Sequence, residues 1–470
     1  MNGGLLDDEQ RPADTLGLSA VEMRRLGHRV VDLVVDRLEN RAASPLSGDL
    51  SVPELIGAFG GPPPESPGDP DEAIDRLVRV ALANKQHLDH PRFFARVPGP
   101  SSFAAVLGEW LGTGYNASAS SWATGAGPSA VEHVVLDWLR ELLGLPEGTE
   151  GVLTSGGSMA NFTALAAARA ERGPGVAYLN DQTHSVLARG LGALGFPAED
   201  VRVLASDAEY RFSVPALAAA VAEDRAAGRR PMLVVASAGT TNTGAVDPLD
   251  ELADFCAAQG LWLHVDGAYG APAVLCEQGR AVLGGLGRAD SLVLDPHKWL
   301  YQPVDAGCVL IRHPGVLRRA FAVEADYLKD VRSVGELADF RECSLELTRR
   351  SRALKLWLTF QIYGLARIRD AIAECLALAE YAEKVLRSDA AWEVVTPAQL
   401  GIVTFALRGA DEAVHQERAA RLSRSGYATV TPTKLKGRSV LRMCIINPLT
   451  TEADIFGTLE RLARPAQAQS

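Results

Sequence analysis

Two residues at the ends of apolar strands have the types and the spacing for joint chemistry, and the first is Lys298. It follows the apolar run Leu292-Val293-Leu294, which predicts a buried strand, and Pro296 ends the pairing of that strand. A lysine held where such a strand meets a cleft loses hydration, so its amine becomes available as a nucleophile that forms imines with carbonyl compounds. Taken alone, Lys298 is more simply a surface lysine.

The second residue is Asp266, which follows the apolar strand Leu261 to Val265 and precedes the small residues Gly267 and Ala268. Enough chain separates Asp266 from Lys298 for a crossover, so the two residues can lie on neighbouring strand ends. A carboxylate there can keep a pyridine nitrogen protonated. Lysine with aspartate is the pair that a pyridoxal 5'-phosphate (PLP) enzyme needs, so the sequence predicts a PLP site.

An anion-binding turn is predicted at residues 154–158, Thr-Ser-Gly-Gly-Ser. The turn joins a short strand to a helix over 158–171, so its glycines let backbone N–H groups approach a ligand. Its spacing fits neither a dinucleotide-binding fingerprint nor a P-loop. Such a turn alone is more often structural, but the pairing of Lys298 with Asp266 favours a phosphate site.

With these residues in place, the chain resembles the group II PLP-dependent amino-acid decarboxylases from about Leu16 to about Leu462. Six stretches carry the resemblance by their order and spacing: residues 90–94 (His-Pro-Arg-Phe-Phe), 154–161 (Thr-Ser-Gly-Gly-Ser-Met-Ala-Asn), 181–185 (Asp-Gln-Thr-His-Ser), 239–241 (Gly-Thr-Thr), 264–269 (His-Val-Asp-Gly-Ala-Tyr) and 295–299 (Asp-Pro-His-Lys-Trp). The resemblance implies the α/β fold of PLP-dependent transferases of fold type I, like aspartate aminotransferase. It also implies decarboxylation of an L-amino acid to an amine.

The resemblance assigns roles to individual residues. It implies that Lys298 carries PLP, that Asp266 pairs with the ring nitrogen and that His184 stacks on the ring. The cofactor phosphate is held by Gly157 and Ser158. The further cofactor contacts that it implies are Thr241, Ala268 and His297.

Tyr327 falls between the two expected domains, in a stretch with few periodic apolar residues, which predicts a mobile loop. In the family the matching tyrosine closes over the site and protonates the carbon from which carbon dioxide has left. The chain keeps both Tyr327 and His184. The resemblance therefore favours an amine product over an aldehyde.

The substrate pocket departs from the pattern of aromatic-specific members. Small serines replace bulky walls, and Arg96 replaces an aromatic residue, which predicts a wider and more polar pocket. A second hypothesis is therefore β-elimination (C–S lysis) or decarboxylation-coupled oxidative deamination of a bulky amino-acid conjugate. A third, a non-catalytic binding protein, is disfavoured by the intact Lys298 and Tyr327. The predicted pocket residues are Leu88, Arg96, Val97, Pro98, Ser118 and Ser120.

Composition limits the partners. The formal net charge of −11 disfavours nucleic acid and anionic membranes, which both reward basic patches, and favours a small-molecule amino-acid substrate. The six cysteines are scattered without a Cys-x-x-Cys, so neither a disulfide framework nor a zinc site is predicted. No apolar run is long enough to span a bilayer. We expect a cytoplasmic protein without a metal.

The chain divides into three predicted parts. Residues 1–85 form a helical segment that by resemblance packs on the partner in a homodimer with shared active sites, or alternatively caps its own domain. Residues 86–320 alternate strands and helices and predict a large PLP-binding α/β domain with a mostly parallel sheet. Residues 321–470 predict the mobile loop, long helices over 345–388 that break near Gly364, and a small C-terminal α+β domain.

Overall fold

The structure is a computed structural model that describes residues 16–97, 99–323 and 337–464. Its first part is helical: α1 (Ala20–Glu39), α2 (Val52–Phe59), α3 (Pro70–Arg76) with a π-helical turn (Leu77–Leu82), α4 (Phe103–Gly114) and α5 (Trp122–Leu142). Ser19 and Ser51 begin α1 and α2 as N-caps by accepting backbone N–H groups of the first turn. No residue of α1, α2 or α3 is fully buried, and several of their apolar side chains are exposed.

The central sheet has seven strands: β1 (Glu150–Thr154), β2 (Val176–Asn180), β3 (Val201–Leu204), β4 (Pro231–Ser237), β5 (Trp262–Asp266), β6 (Ser291–Leu294) and β7 (Gly307–Ile311). Their order is β1-β7-β6-β5-β4-β2-β3. The pairs from β6 through β5, β4 and β2 to β3 are parallel, whereas β7 runs antiparallel to both β1 and β6. Every residue of β2, β5, β6 and β7 is buried, as expected of a sheet covered on both faces.

The carboxyl ends of β1 to β6 lie along one edge of the sheet, whereas β7 runs the opposite way. Helices accompany these strands. They are α6 (Gly157–Arg172), α7 (Ser185–Ala193), α8 (Val214–Ala226), α9 (Leu249–Gln259), α10 (Glu277–Val282) and α11 (Val316–Phe321). The carboxyl edge of a parallel sheet is where α/β folds bind ligands. The residues predicted to do chemistry follow β2, β5 and β6 at this edge.

A second sheet is antiparallel and has the order β10-β11-β9-β8. Its strands are β8 (Trp392–Gln399), β9 (Ile402–Leu407), β10 (Thr431–Leu435) and β11 (Arg438–Cys444), with helices α12 (Ala353–Ser388), α13 (Glu412–Arg424) and α14 (Glu452–Ala463). The long α12 packs against α4 and α5 and also against β8, so it joins the two layers. It is interrupted at Gly364, whose φ of +68° favours glycine.

A fully buried ion pair ties three parts of the first layer together. Arg349 pairs with Glu132 of α5 at 2.6 Å, and both side chains are fully buried. The same guanidinium donates to the carbonyl oxygens of Ala119 and Leu153. The pairing of the two charges and the N–H that Leu153 donates to Glu132 offset part of the cost of desolvating the two ions. The pair fixes the segment around Ala119 against the strand that leads into the predicted phosphate turn.

Most predicted elements are confirmed. The parallel sheet, the small antiparallel sheet, helix α2 at Val52–Phe59 and the break at Gly364 lie where the pattern placed them. The helix expected over 345–388 begins only at Ala353. The expected alternation after Pro91 is wrong at its start, because α4 and α5 follow one another before β1. No described helix is long and apolar enough to cross a bilayer.

Candidate active site

A cavity of about 400 Å³ opens at the carboxyl ends of β4, β5 and β6, beside the first turn of α6. It collects residues that are far apart in the sequence. Eight of the predicted site residues line it: Gly157, Ser158, His184, Thr241, Asp266, Ala268, His297 and Lys298. One concave site therefore contains both Lys298, the predicted nucleophile, and Asp266.

Lys298 lies a few residues beyond the end of β6 and is held by an acid that the sequence interpretation did not assign to the site. Its Nζ is 3.0 Å from Oδ2 of Asp295, which is almost fully buried and also lines the cavity. The other oxygen, Oδ1, is buried and has no hydrogen-bond partner among the described residues. The position of this acid three residues before the lysine could have suggested a role for it in the site. However, the sequence alone does not show that the two side chains meet.

Asp266 is the last residue of β5, directly beside β6, where it pairs in register with Val293. Its Oδ1 accepts the backbone N–H of Ala268 at 3.0 Å, which fixes the carboxylate at the strand end. The carbonyl of Ala268 accepts the N–H of Asp295 at 2.9 Å, so the turns after the two strands are joined. Asp266 and Lys298 thus face the cavity from neighbouring strand ends.

A buried hydrogen-bond chain lies beneath the cavity. Trp262 Nε1 donates to Ser291 Oγ, Ser291 Oγ is 2.8 Å from His264 Nδ1, and His264 Nε2 is 2.8 Å from Asn161 Oδ1. Because an amide oxygen only accepts, Nε2 carries the imidazole proton and Nδ1 accepts from the serine. Burial lowers the pKa of His264 to about 4, which keeps the ring neutral. The chain orients Asn161, a cavity residue that sequence reasoning did not single out.

The glycine turn before α6 fits a bound anion. Gly156 has a φ of +134°, and no side chain caps the first turn of the 16-residue α6 in the described structure. A Cβ on Gly157 would lie 2.6 Å from Asp295 Oδ2, and one on Gly307 would lie 2.5 Å from the backbone of Gly156. The backbone is therefore packed too closely for larger residues, and the unpaired amide groups at this helix start suit a phosphate.

The remaining predicted cofactor contacts are held from several directions. His184 is the N-cap of α7, and its Nδ1 accepts the N–H of Val186 at 3.2 Å. His297 Nδ1 donates to the carbonyl of Ala306 at 2.6 Å. The carbonyl of Thr241 accepts from Nε of the buried Arg442, on β11, at 2.6 Å. The small sheet thus contacts the loop that carries Thr241.

The predicted substrate-pocket residues are not brought to this cavity within one chain. Leu88, Arg96, Val97, Ser118 and Ser120 are absent from its lining, although Val97 packs on the main core. The chain just after them approaches closely, because a Cβ on Gly99 would lie 1.9 Å from the carbonyl oxygen of Lys298. The other two predicted site residues, Pro98 and Tyr327, lie outside the described residues.

The hydroxyl groups of Ser118 and Ser120 are engaged by their own chain. Ser118 Oγ donates to the carbonyl of Arg349 at 3.0 Å, and Ser120 Oγ accepts the N–H of the same residue at 2.9 Å. The two hydroxyl oxygens are 2.9 Å apart, so Ser120 donates to Ser118. Both hydroxyl protons are therefore committed, and these serines present only acceptor capacity to a ligand.

Further residues line the cavity that the sequence did not mark individually. Most come from the same segments as the predicted ones, and apart from Ser237 and Val304 they belong to or adjoin the recognised motifs. They are Ser155, Gly156, Met159, Asn161, Gln182, Val186, Ser237, Gly239, Thr240, Tyr269, Asp295 and Val304. The described residues contain no cluster of histidine, cysteine and acidic side chains that would hold a metal ion.

Comparison with known proteins decides the family. The family model described as "Pyridoxal-dependent decarboxylase conserved domain" matches residues 62–408. The chain belongs to this family. This decarboxylase is similar to the aromatic-L-amino-acid decarboxylase of Bacillus atrophaeus, with 42% identity over 97% of this chain and 98% of the relative.

Solved structures agree with that assignment. The tryptophan decarboxylase (TDC) of Oryza sativa with PLP and tryptamine superposes with a TM-score of 0.90 at 29% identity, covering 95% of this chain and 97% of the other. The 4-hydroxyphenylacetaldehyde synthase of Rhodiola rosea superposes with a TM-score of 0.87 at 27% identity, covering 95% and 98%. This decarboxylase is a PLP-dependent carboxy-lyase that acts on an amino acid.

Proposed function

We propose that this decarboxylase converts an aromatic L-amino acid to its amine and carbon dioxide. The observation that carries the proposal is the placement of Lys298 and Asp266 on adjoining strand ends in one cavity, beside a glycine turn suited to phosphate. The aromatic substrate is supported by the 42% identity to the Bacillus atrophaeus enzyme. When bound, PLP withdraws electrons from the α-carbon of the substrate, so that the bond to the carboxylate can break.

We infer the following roles for the residues of the cavity. Lys298 attaches the cofactor, and Asp295 holds its Nζ in place beforehand. Asp266 keeps the ring nitrogen protonated from the end of β5. His184 would lie against the ring, and Gly157 with Ser158 would bind the phosphate. The residues that support the ring and its substituents are Thr241, Ala268 and His297.

The fate of the α-carbon separates an amine product from an aldehyde. After carbon dioxide leaves, a proton must reach that carbon before molecular oxygen does. We propose Tyr327 as the proton donor, on the resemblance of its sequence context alone. The aldehyde route is the second candidate, and it is supported by the similarity to the Rhodiola rosea 4-hydroxyphenylacetaldehyde synthase.

Replacing Tyr327 with phenylalanine is expected to lower amine release by roughly 10²-fold, because a general acid contributes about that much or more. Aldehyde, ammonia and hydrogen peroxide should rise together. Products from a panel of aromatic and non-aromatic L-amino acids are to be measured by mass spectrometry, with carbon dioxide and free thiols followed in parallel. Tyr381→Phe, a change on α12 beside the small core, should leave the product ratio unchanged.

Two results would contradict the proposed product. A wild-type enzyme that already releases mainly aldehyde would assign decarboxylation-coupled oxidative deamination. Release of a thiol with pyruvate from a conjugate would assign C–S lysis on the same scaffold. Decarboxylation of only non-aromatic substrates would instead overturn the aromatic substrate class.

We propose a homodimer in which each chain completes the active site of the other. The pocket residues Leu88, Arg96, Val97, Ser118 and Ser120 do not line the cavity of their own chain, which supports a role at a partner's cavity. Pro98 belongs to the same proposal. Exposed apolar side chains on α1 and α2 support an interface there: Val21, Met23, Val30, Val31, Val52, Ile56 and Phe59. We also propose the division into segments 1–85, 86–320 and 321–470.

Deleting residues 1–69 is expected to abolish the dimer, because it removes α1 and α2 with their exposed apolar faces. Sedimentation velocity of the full chain and of the deletion checks this. Deleting only residues 1–15 is the matched control and should leave the dimer intact. An active full-length monomer would refute the shared site.

We further propose a reducing compartment, the cytoplasm. All six cysteines are buried and free. Disulfides form and persist in oxidising compartments, so six unpaired thiols favour a reducing one. The net charge of −11 supports the expectation that the enzyme binds neither nucleic acid nor anionic membranes.

A further inference from the structure

The segment 303–306, here called the wall loop, follows Lys298 and reaches the cavity in two ways. Val304 lines the cavity and is 77% exposed, so its side chain is available to a ligand. The carbonyl of Ala306 accepts from His297 Nδ1 at 2.6 Å and from the backbone N–H of His297 at 3.4 Å. The wall loop therefore forms one side of the cavity and also orients the imidazole next to Lys298.

A buried ammonium group holds this loop from behind. Lys355 is in the first turn of α12, and its side chain is 1% exposed. Its Nζ donates to the carbonyls of Pro303 and Asp305, each at 2.9 Å, and lies 2.8 Å from Glu109 Oε2. The three N–H bonds of the ammonium thus have three acceptors, and two of these flank Val304.

Close helix packing makes this arrangement possible. A Cβ on Gly108 of α4 would lie 2.5 Å from Lys355 Cα, so only glycine lets α4 and α12 approach this far. The approach brings Glu109 next to the ammonium group. Arg352 donates to both carboxylate oxygens of Asp305 at 3.3 Å, and Arg350 pairs with Glu109. The wall loop is therefore held by charges on α12 and on the residues just before it.

Lys355 does not take part in the chemistry of the cavity directly. It is absent from the cavity lining, and its three donors are occupied. Burial lowers its pKa to about 8, so the site keeps a cation at a cost in solvation. An apolar side chain would fill the same space without that cost. Unlike an apolar side chain, the ammonium group donates hydrogen bonds that fix the positions of the Pro303 and Asp305 carbonyls.

We propose that Lys355 and Glu109 are positioning residues that set the wall loop, and that Val304 on this loop contacts the substrate side chain and limits its size. The proposal rests on the proposed function only in taking this cavity as the reaction site. A displaced wall loop would shift both Val304 and the acceptor of His297. Substrate affinity and the environment of the cofactor should then change together.

The first experiment compares Lys355→Met and Glu109→Gln with the control Lys434→Met, a lysine that is 56% exposed and pairs with Glu412 on the small sheet side. In Lys355→Met the KM should rise about tenfold to a hundredfold, because small misplacements of contact groups have effects of that size. The pH midpoint of the visible cofactor absorbance should also move. Glu109→Gln should change the KM and the absorbance midpoint in the same direction but by less. The control should change neither.

These readouts separate positioning from a purely structural role. A loss of folded protein alone lowers yield and melting temperature, but at equal folded concentration it leaves KM and the absorbance midpoint unchanged, and that result would overturn the proposal. Glu109→Gln keeps the test decisive should Lys355→Met fail to fold. A wild-type enzyme without any decarboxylation activity would instead refute the proposed function. In that case the absorbance midpoint of the variants would still report on the position of the wall loop.

The second experiment varies Val304 itself, which is exposed enough to be replaced without disturbing the core. Val304→Phe should lower kcat/KM for bulky amino acids about tenfold relative to small ones, and Val304→Ala should shift the preference the other way. Cofactor content should remain at the wild-type level in both variants. An unchanged substrate ranking in both would show that Val304 does not contact the substrate.

Discussion

Lys298→Ala is expected to lower decarboxylation by about 10³-fold or more, because it removes the nucleophilic amine that attaches the cofactor. The visible absorbance of the bound cofactor should be lost, and borohydride should no longer fix PLP to the protein. The measurement is kcat at saturating cofactor, together with mass spectrometry of borohydride-treated peptides. Lys434→Ala should behave as the wild type.

The structure also argues against the other lysine that could attach the cofactor, Lys355. Lys355 has its pKa lowered to about 8 by burial, which would otherwise make it a candidate nucleophile. However, its Nζ is bonded to two carbonyls and to Glu109, and it does not line the cavity. A fixed peptide that contains Lys355 or Lys434 rather than Lys298 would show that the site is misplaced.

Asp266→Asn should depress kcat by about 10²–10³-fold, the usual effect of removing one electrostatic partner at a reacting centre. The amide has the same shape as the carboxylate, but it carries no charge and does not keep a ring nitrogen protonated. Because Lys298 is unchanged, PLP should still be attached, so cofactor content and activity separate in this variant. The measurements are cofactor stoichiometry, its absorbance spectrum and kcat.

Asp254→Asn is the matched control, since this aspartate is 74% exposed and pairs with Arg288 on the surface. It should leave all three measurements unchanged. Full activity in Asp266→Asn would show that the charge at the end of β5 has no part in the reaction. Loss of PLP from that variant would mean that Asp266 acts mainly in binding.

Much of the fold could be predicted because most of the central strands are largely apolar runs ended by proline, glycine or polar residues. Such runs predict a parallel sheet without knowledge of tertiary contacts. Helix α5 was harder, because it contains Pro128 and a non-helical Gly125, whose packing against Ser118 is a contact from outside the helix. Local patterns miss an element of that kind.

The candidate site divides in the same way. Lys298 and Asp266 could be found because each follows a recognisable strand. The contact of Asp295 with Lys298, and the orientation of Asn161 through His264, depend on distances between side chains that no local pattern contains. The two serines looked like polar pocket walls in the sequence. Their hydroxyl protons are bonded within the chain, which only the position of Arg349 reveals.

The six buried cysteines have a practical consequence. Burial raises the pKa of Cys256, Cys343 and Cys375 to about 12, and it raises the pKa of Cys308 and Cys444 as well. Thiols in this state react slowly with maleimides and iodoacetamides. The native cysteines should therefore contribute little unwanted reaction when an introduced cysteine is labelled. A fluorophore attached through Val304→Cys would report from the mouth of the cavity without prior removal of any native cysteine.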